Sequence, residues 1–264
     1  MADTVNAGVQ APAWVNKPVW VDLATSDPEA AHEFYSKLFG WDVQVSPDPQ
    51  YGGYAQAYVG GEPVAGIGPK MMAQAPTAWS VYLGTTDSDD LAKRVQAAGG
   101  TVVVPPMTVG DQGRMTVFQD PSGAFISSWQ PIAMAGFSQG AANTFGWAEL
   151  NARGIDKDLP FYEAVFGWNP ATGSQGLAGA AYTQFQIAGQ TVAGGSEMNP
   201  MVPPQIPSYW MAYFNVPDLD ASYKTAIEAG ATEMLSPVDY PGGRLAIVSD
   251  PQGAAFGLLQ MRSR

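Results

Sequence analysis

The sequence predicts an α+β fold built from two tandem copies of one unit. The segment PVWVDLATSDPEAAHEFYSKLFGW, which ends at Trp41, returns in a similar form that ends at Trp168, 127 positions further on. A second segment, GRMTVFQDPSGA from Gly113, returns as GRLAIVSDPQGA from Gly243. Because both pairs keep their order and nearly their spacing, the two copies fill almost the whole chain and their positions can be compared one by one.

Each copy opens with a short apolar strand, predicted over residues 19–25 and 148–152, and continues into a helix that carries a Phe-Tyr pair. In the first helix, apolar residues recur at helical spacing between Ala31 and Leu38. Gly40 follows, where glycine commonly ends a helix. Turn-rich segments with Gly-Gly and Ala-Gly pairs come next and are typical of β-hairpins.

The same order then repeats within each copy. A strand (78–84; 209–216) leads to a helix (88–98; 219–229) and to further strands that end in Asp-Pro-x-Gly turns. Each copy is therefore predicted to contain two βαβββ modules, which pair either within one copy or across the copies. The predicted boundaries are an N-terminal tail (1–15), a first domain (16–131), a linker rich in Ala, Gly and Ser (132–144) and a second domain (145–262).

Composition narrows the function classes. The chain has 264 residues, is 46% hydrophobic, and carries a net charge of −12 with only twelve Lys and Arg. Nucleic-acid binding requires clustered basic residues, so it is not expected. No signal peptide and no run of about 18 apolar residues is visible, which predicts a cytoplasmic protein without a membrane partner. Because there is no cysteine, any chemistry must come from oxygen, nitrogen and aromatic groups.

The strand and FYxxLFGW helix, followed later by a strand and DPxG turn, resemble the vicinal oxygen chelate superfamily of glyoxalase I, bleomycin-resistance proteins and extradiol dioxygenases. The resemblance covers about nine tenths of the chain. It implies that the paired βαβββ modules of each domain form one curled, cup-like sheet. Within the superfamily, the WVDL, WAEL and GR…DPxGA segments resemble a tandem two-domain actinobacterial group. That group includes a mycobacterial secreted antigen and accessory proteins of anthracycline biosynthesis.

The resemblance also indicates where metal ligands would stand in metal-dependent members. Counting from the helix-starting and DPxG aspartates, these positions hold residues that are poor metal ligands. Glu197 is the one carboxylate near a remaining position, and neither copy assembles three ligands. We therefore predict a protein with no metal and no cofactor. The positions are Trp20, Ser80 and Ser127 in the first copy and Trp147, Met211 and Gly257 in the second.

Strand alternation assigns side chains to the cups. If Trp20 faces the cup, Asp22 does too, while Val21 and Leu23 pack beneath the helix; the same rule places Trp147 and Glu149 together. The predicted lining is aromatic with a few polar groups, as in many small-molecule sites. The predicted ligand-binding residues are Trp20, Asp22, Tyr54, Gln56, Tyr82 and Trp129 in the first copy and Trp147, Glu149, Tyr182, Gln184, Met211, Tyr213 and Gly257 in the second.

Structural alternatives remain open for these residues. The aromatic side chains could simply form core, and Asp22 or Glu149 could pair with Arg114 or Arg244 instead of awaiting a ligand. The two arginines could also hold turn carbonyls or the aspartates of the DPxG turns. Those aspartates are expected to be turn residues.

The two cups are not expected to be equivalent. The first is expected to be narrowed by Phe125 and Trp129, whereas the second carries the small residues Ala255 and Gly257 on the matching strand, so we expect the second cup to be roomier.

These observations predict a metal-independent protein that binds a planar aromatic natural product. The resemblance implies that this ligand is an anthracycline-like polyketide. Sequestration, self-resistance or support of a biosynthetic tailoring enzyme would be the protein's role, as a monomer or homodimer. The alternative is an isomerase, lyase or cofactor-free oxygenase of the same superfamily that uses Asp22 or Glu149 as general base. A third class, an interaction or antigen-like protein with degenerate cups, also stays open.

Overall fold

A computed structural model describes residues 12–262, and the predicted tail lies outside the described residues up to residue 11. Each copy forms one eight-stranded mixed sheet, with strand orders β2-β3-β4-β1-β5-β8-β7-β6 and β10-β11-β12-β9-β13-β16-β15-β14. The strands of the first sheet are β1 (Pro18–Thr25), β2 (Asp42–Val45), β3 (Ala55–Val59), β4 (Glu62–Pro69), β5 (Ala78–Gly84), β6 (Thr101–Val109), β7 (Gly113–Gln119) and β8 (Phe125–Pro131). Those of the second are β9 (Phe145–Ala152), β10 (Asn169–Gln175), β11 (Ala181–Ile187), β12 (Gln190–Glu197), β13 (Tyr209–Asn215), β14 (Thr232–Tyr240), β15 (Gly243–Ser249) and β16 (Ala255–Met261).

The modules pair within each copy, which settles the question that the sequence left open. Strand β1 runs antiparallel to β5 of the second module, with Asp22 opposite Ser80. Strand β9 runs antiparallel to β13 in the same way, with Glu149 opposite Met211. The α+β prediction is confirmed: each sheet is curled but not closed, so it has a convex face and a concave face, which we call the first cup and the second cup.

Helices α1 (Pro28–Phe39), α2 (Ser88–Ala97), α3 (Leu159–Phe166) and α4 (Leu219–Glu228) connect strands on the convex side. The carboxylate of Asp27 caps α1 by accepting a hydrogen bond from the Ala30 amide, which satisfies one of the free N–H groups of the first turn. Gly40 and Gly167 end α1 and α3 with φ values of 67° and 66°, a conformation that glycine adopts without strain. No helix in residues 12–262 has the length and apolar character needed to cross a membrane.

One hydrophobic core joins the two copies. It contains the convex faces of both sheets together with the apolar faces of the helices. Trp79 of β5 contacts Phe214 of β13 with ring centroids 4.9 Å apart, and Phe34 of α1 lies 6.3 Å from Phe256 of β16. Because the convex faces are packed together, the two cups open away from each other.

One tyrosine in α1 and one in α3 form hydrogen bonds with the DPxG turn of the other copy. The hydroxyl of Tyr35 donates to Asp250 at 2.9 Å, and the hydroxyl of Tyr162 donates to Asp120 at 2.8 Å. Asp120 also accepts the amide of Ala124 within its own turn. The expected turn role of these aspartates is therefore correct, and each aspartate also has a second role in joining the copies.

A third carboxylate breaks the symmetry of this interface. Asp158, at the start of α3, is buried and accepts the Ser122 amide at 3.0 Å, the same amide that donates to Asp120. Its other oxygen has no hydrogen-bond partner in the structure. Burial and then the neighbouring Asp120 raise the pKa of Asp158 to about 7. The equivalent position in the first copy is Ala31.

Candidate functional site

In the first cup, a hydrogen-bonded chain leads from a tryptophan to a carboxylate. The indole N–H of Trp20 donates to the hydroxyl of Tyr54 at 2.9 Å. The hydroxyl of Tyr54 donates to Asp22 at 3.4 Å, and that of Tyr82 donates to the same carboxylate oxygen at 2.9 Å. Asp22 therefore has two tyrosine donors and lies on the cup face, as the strand alternation predicts.

The second cup repeats this chain with a longer acid. The indole N–H of Trp147 donates to the Tyr182 hydroxyl at 2.8 Å, and this hydroxyl donates to Glu149 at 2.9 Å. Tyr213 donates to the other oxygen of Glu149 at 3.4 Å, as does the side-chain amide of Asn151. The two long bonds hold that oxygen weakly, so it has capacity for a further donor.

Two glycines make room for the tyrosines of these chains. A Cβ atom on Gly66 would lie 1.7 Å from the Tyr54 hydroxyl, and one on Gly194 would lie 1.9 Å from the Tyr182 hydroxyl. Strands β4 and β12 therefore require glycine where the tyrosines lie across them. This repeated close approach is why both copies carry a small residue at that position.

Burial governs the charge of both carboxylates. Burial raises the pKa of Asp22 to about 7, although the hydrogen bonds from Tyr82 and Tyr54 oppose the shift. Burial also raises the pKa of Glu149 above its usual value, opposed by Tyr182, Asn151 and Tyr213. In both cups the negative charge is thus costly without a partner, and a cationic group placed beside it would be stabilised.

The proposed pairing of these acids with arginine is wrong. Arg114 forms a bidentate ion pair with Asp89, with N–O distances of 2.7 and 3.1 Å. Arg244 pairs with Asp220 in the same way. Neither arginine holds a DPxG aspartate or a cup carboxylate, since each pairs with an aspartate in the first turn of the helix of its own module.

The other predicted cup residues divide between packing and polar contacts. Trp129 and Met211 are buried in the apolar clusters of their cups. Gln56 donates to the Met134 sulfur at 3.4 Å, and Gln184 accepts from Thr191 at 3.3 Å.

Gly257 does not supply the open space that we expected from its sequence. A Cβ atom there would lie 1.9 Å from the ring of Tyr213, so the tyrosine already fills this place. Phe125, expected to narrow the first cup, is instead 54% exposed.

The second cup contains ligand-facing candidates that the sequence reasoning missed. Tyr209 and Tyr240 are half-buried in its apolar cluster, as is Leu177 from the short 3₁₀ helix Leu177–Gly179. Burial and then the Glu149 carboxylate raise the pKa of both tyrosines above the usual value. Comparing the copies could have found them, because Ala78 and Val109 stand at the equivalent positions of the first copy.

The first cup has a different addition, the linker. Its residues Met134 and Phe137 pack against the buried cluster that contains Trp20 and Trp129. The prediction treated the segment 132–144 as a simple connection between domains. The large apolar residues Met134 and Phe137, within a segment otherwise rich in Ala, Gly and Ser, were the signal of packing that the sequence offered.

Cavities also lie outside the cup floors in the part of the chain that the structure describes. One of about 190 Å³ lies between the copies and is lined by Lys17, Gln139 and Trp147 among others. The other, of about 410 Å³, lies between α1 and α4. Pockets for drug-sized ligands measure roughly 300–1,000 Å³, so the cavity beside Trp147 is smaller than such a pocket.

The residues at the metal positions do not fit a metal ion. Trp20 and Trp147 use their indole N–H groups as donors to tyrosine. The carboxylate of Glu197 accepts the amides of Gly154 and Ile155, so it caps a helical turn. Within residues 12–262, no three His, Asp or Glu side chains converge as a ligand set. We therefore derive no chemistry through a metal.

The glyoxalase model of the Glyoxalase/Bleomycin resistance protein/Dioxygenase superfamily matches residues 17–127 and 144–258. The chain belongs to this superfamily and has two tandem domains of its type. The anthracycline biosynthesis protein DnrV of Streptomyces peucetius is 37% identical over 260 residues, which is 93% of each chain. The putative glyoxylase CFP32 of Mycobacterium tuberculosis (strain CDC 1551 / Oshkosh) is 39% identical over 249 residues, which is 92% of this chain and 94% of the relative.

Solved structures of low sequence identity share the fold. The Mn(II)-bound glyoxalase from Novosphingobium aromaticivorans aligns with a TM-score of 0.65 at 16% identity, over 93% of this chain and 82% of the other. The 2,2',3-trihydroxybiphenyl 1,2-dioxygenase from Sphingomonas wittichii strain RW1 aligns with a TM-score of 0.63 at 14% identity, over 93% and 90% of the two chains. These likenesses concern architecture alone.

Proposed function

We propose that this protein binds a planar aromatic small molecule of the anthracycline polyketide class in its second cup, without a metal. The ligand's rings stack on exposed aromatic faces at the mouth of the cup. Its amino group pairs with Glu149. The bound molecule is held for sequestration or for delivery to a tailoring enzyme, and it is released unchanged.

The observation that carries the proposal is the ring of partly exposed apolar side chains around a buried acid. Trp147, Tyr209 and Tyr240 are half-buried around Glu149, whose second oxygen has only long hydrogen bonds. Aromatic faces favour planar ligands, and a cation beside both a carboxylate and aromatic rings gains from each. Similarity to DnrV supports the choice of ligand class.

The test compares daunorubicin, which has an amino sugar, with its aglycone, by quenching of protein fluorescence. Glu149→Gln keeps the shape of the side chain but removes its charge, which contributes roughly 1.5–3 kcal/mol to a charge-assisted hydrogen bond. We expect about 10- to 100-fold weaker binding of daunorubicin and unchanged binding of the aglycone.

The matched control is Asp22→Asn, which makes the same change in the first cup and should leave both affinities unchanged. Equal losses for daunorubicin and its aglycone in Glu149→Gln would contradict a role for charge. No binding of either compound to the wild-type protein would reject the ligand class.

A second candidate function is suggested by the raised pKa of Glu149. A carboxylate of higher basicity is a better general base, so the same cup could serve an isomerase, lyase or oxygenase reaction. Mass spectrometry of the ligand after incubation with protein, oxygen and a reductant separates the two. Unaltered ligand supports binding, whereas a product made by the wild type but lost in Glu149→Gln supports catalysis.

A further inference from the structure

The linker between the copies is fixed by its main chain against the first cup. Three successive amides, from residues 132 to 134, donate to the carbonyl of Gln112 at 3.0–3.1 Å. The amide of Phe137 then donates to the carbonyl of Val19 at 3.1 Å. These bonds reach the turn between β6 and β7 at one side of the cup and β1 in its centre, so the linker crosses from one to the other.

The linker contacts side chains of the first cup that the sequence analysis assigned to ligand binding. The indole N–H of Trp129 donates to the Met134 carbonyl at 2.8 Å, and Gln56 donates to the Met134 sulfur. The ring of Phe137 packs on Trp20 with centroids 5.9 Å apart and planes tilted by 53°. Trp20 is only 2% exposed, and Trp14 packs against the same cluster beside the linker residues. An apolar side chain, an aromatic ring and a hydrogen-bond acceptor are thus supplied from within the chain.

In the second cup, none of the residues from 12 to 262 forms a comparable covering segment. Trp147, the counterpart of Trp20, is half-buried, and Leu259 replaces Trp129 and has no N–H group. Gln184 is bonded within its own sheet to Thr191. Among residues 12–262, every member of the second cup's apolar cluster except Leu177 belongs to a strand of that sheet.

We infer that the linker is the built-in occupant of the first cup, so that each chain offers one ligand site, in the second cup. The inference rests on the proposed function for the class of ligand. It adds the stoichiometry and the cause of the difference between two otherwise similar cups. It also makes Met134 and Phe137 the residues that decide which cup a ligand enters.

The test counts daunorubicin molecules bound per chain in the wild type and in the double variant Met134→Ala/Phe137→Ala. We expect one in the wild type and two in the variant, because removing the thioether and the ring uncovers Trp20. Adding Phe125→Ala to the variant leaves the second cup untouched and should keep the count at two. Adding Glu149→Gln to the double variant should weaken daunorubicin binding about 10- to 100-fold at one of the two sites and leave the other unchanged.

The change in the number of bound molecules between variant and wild type tests the role of the linker. The number bound by the wild type tests the proposed function. A gain of one site supports the inference even when the wild type binds none. An unchanged count, or two sites in the wild type, overturns it. If the double variant does not fold by circular dichroism, Trp129→Leu takes its place. This change copies Leu259 and removes the N–H that holds the Met134 carbonyl, and the same outcomes apply.

Discussion

Replacing Asp158 by Asn should stabilise the protein at neutral and higher pH. The carboxyl group of Asp158 is buried at the interface between the copies, beside Asp120, and one of its oxygens has no partner. Asparagine keeps the oxygen that accepts the Ser122 amide. Its side chain is neutral, so it lacks the negative charge that burial and the neighbouring Asp120 disfavour at position 158.

The magnitude and sign follow from the pKa of Asp158, which rises from 3.8 to about 7 on folding. Between these values the folded protein binds a proton that the unfolded chain has lost, so the free energy of unfolding falls as the pH rises from about 4 to 7 and then stays level. At about 1.36 kcal/mol for each tenfold change in proton affinity, the full cost is roughly 4 kcal/mol. Asp158→Asn should recover about 2–4 kcal/mol of this at pH 8 and almost none at pH 4.

Urea unfolding at pH 4, 6 and 8, followed by circular dichroism, measures this effect as the difference between variant and wild type. The first copy provides the matched control, because Ala31 occupies the equivalent position in α1. Ala31→Asp should place a second buried carboxylate beside Asp250 and thereby lower the free energy of unfolding at pH 8. A stabilisation by Asp158→Asn that is equal at all three pH values, or a destabilisation at pH 8, would refute the reasoning.

Three further predictions concern the interface, the cups and metals. Tyr35→Phe should lower the free energy of unfolding by about 1–3 kcal/mol, measured in urea, because Asp250 loses a buried donor; an unchanged midpoint would contradict this. Gly194→Ala and Gly66→Ala should both lower the melting temperature, since each displaces a cup tyrosine, but only Gly194→Ala should weaken daunorubicin binding, through Tyr182. Dialysis against a chelator should leave the melting temperature unchanged, and stoichiometric Zn, Fe, Ni or Mn by elemental analysis would reject the metal-free prediction.

The sequence determined the features that depend on local spacing. The repeat placed both copies and their βαβββ modules, and the period-two alternation put Trp20 in the cup and Val21 in the core between the sheets. The aspartate cap and terminal glycine of α1 were visible for the same reason: the groups that satisfy a helix end lie within a few residues of it.

Only the tertiary structure decided which distant groups meet. The contacts of Tyr35 with Asp250 and of Arg114 with Asp89 depend on how separate elements pack, which no spacing along the chain encodes. The ring of Tyr213 fills the space above Gly257 for the same reason. Side-chain direction along a strand is set by two-residue geometry, but the filling of a cup depends on every strand that surrounds it.

The linker shows this division within one segment. Its composition indicated a connection between domains, and the segment lies between β8 and β9. Its path across the first cup depends on the carbonyl of Gln112, in the turn between β6 and β7, and on the carbonyl of Val19, in β1. The sequence alone therefore determined that this protein has two similar cups, and the packing of a thirteen-residue connection (132–144) onto one of them made the cups different.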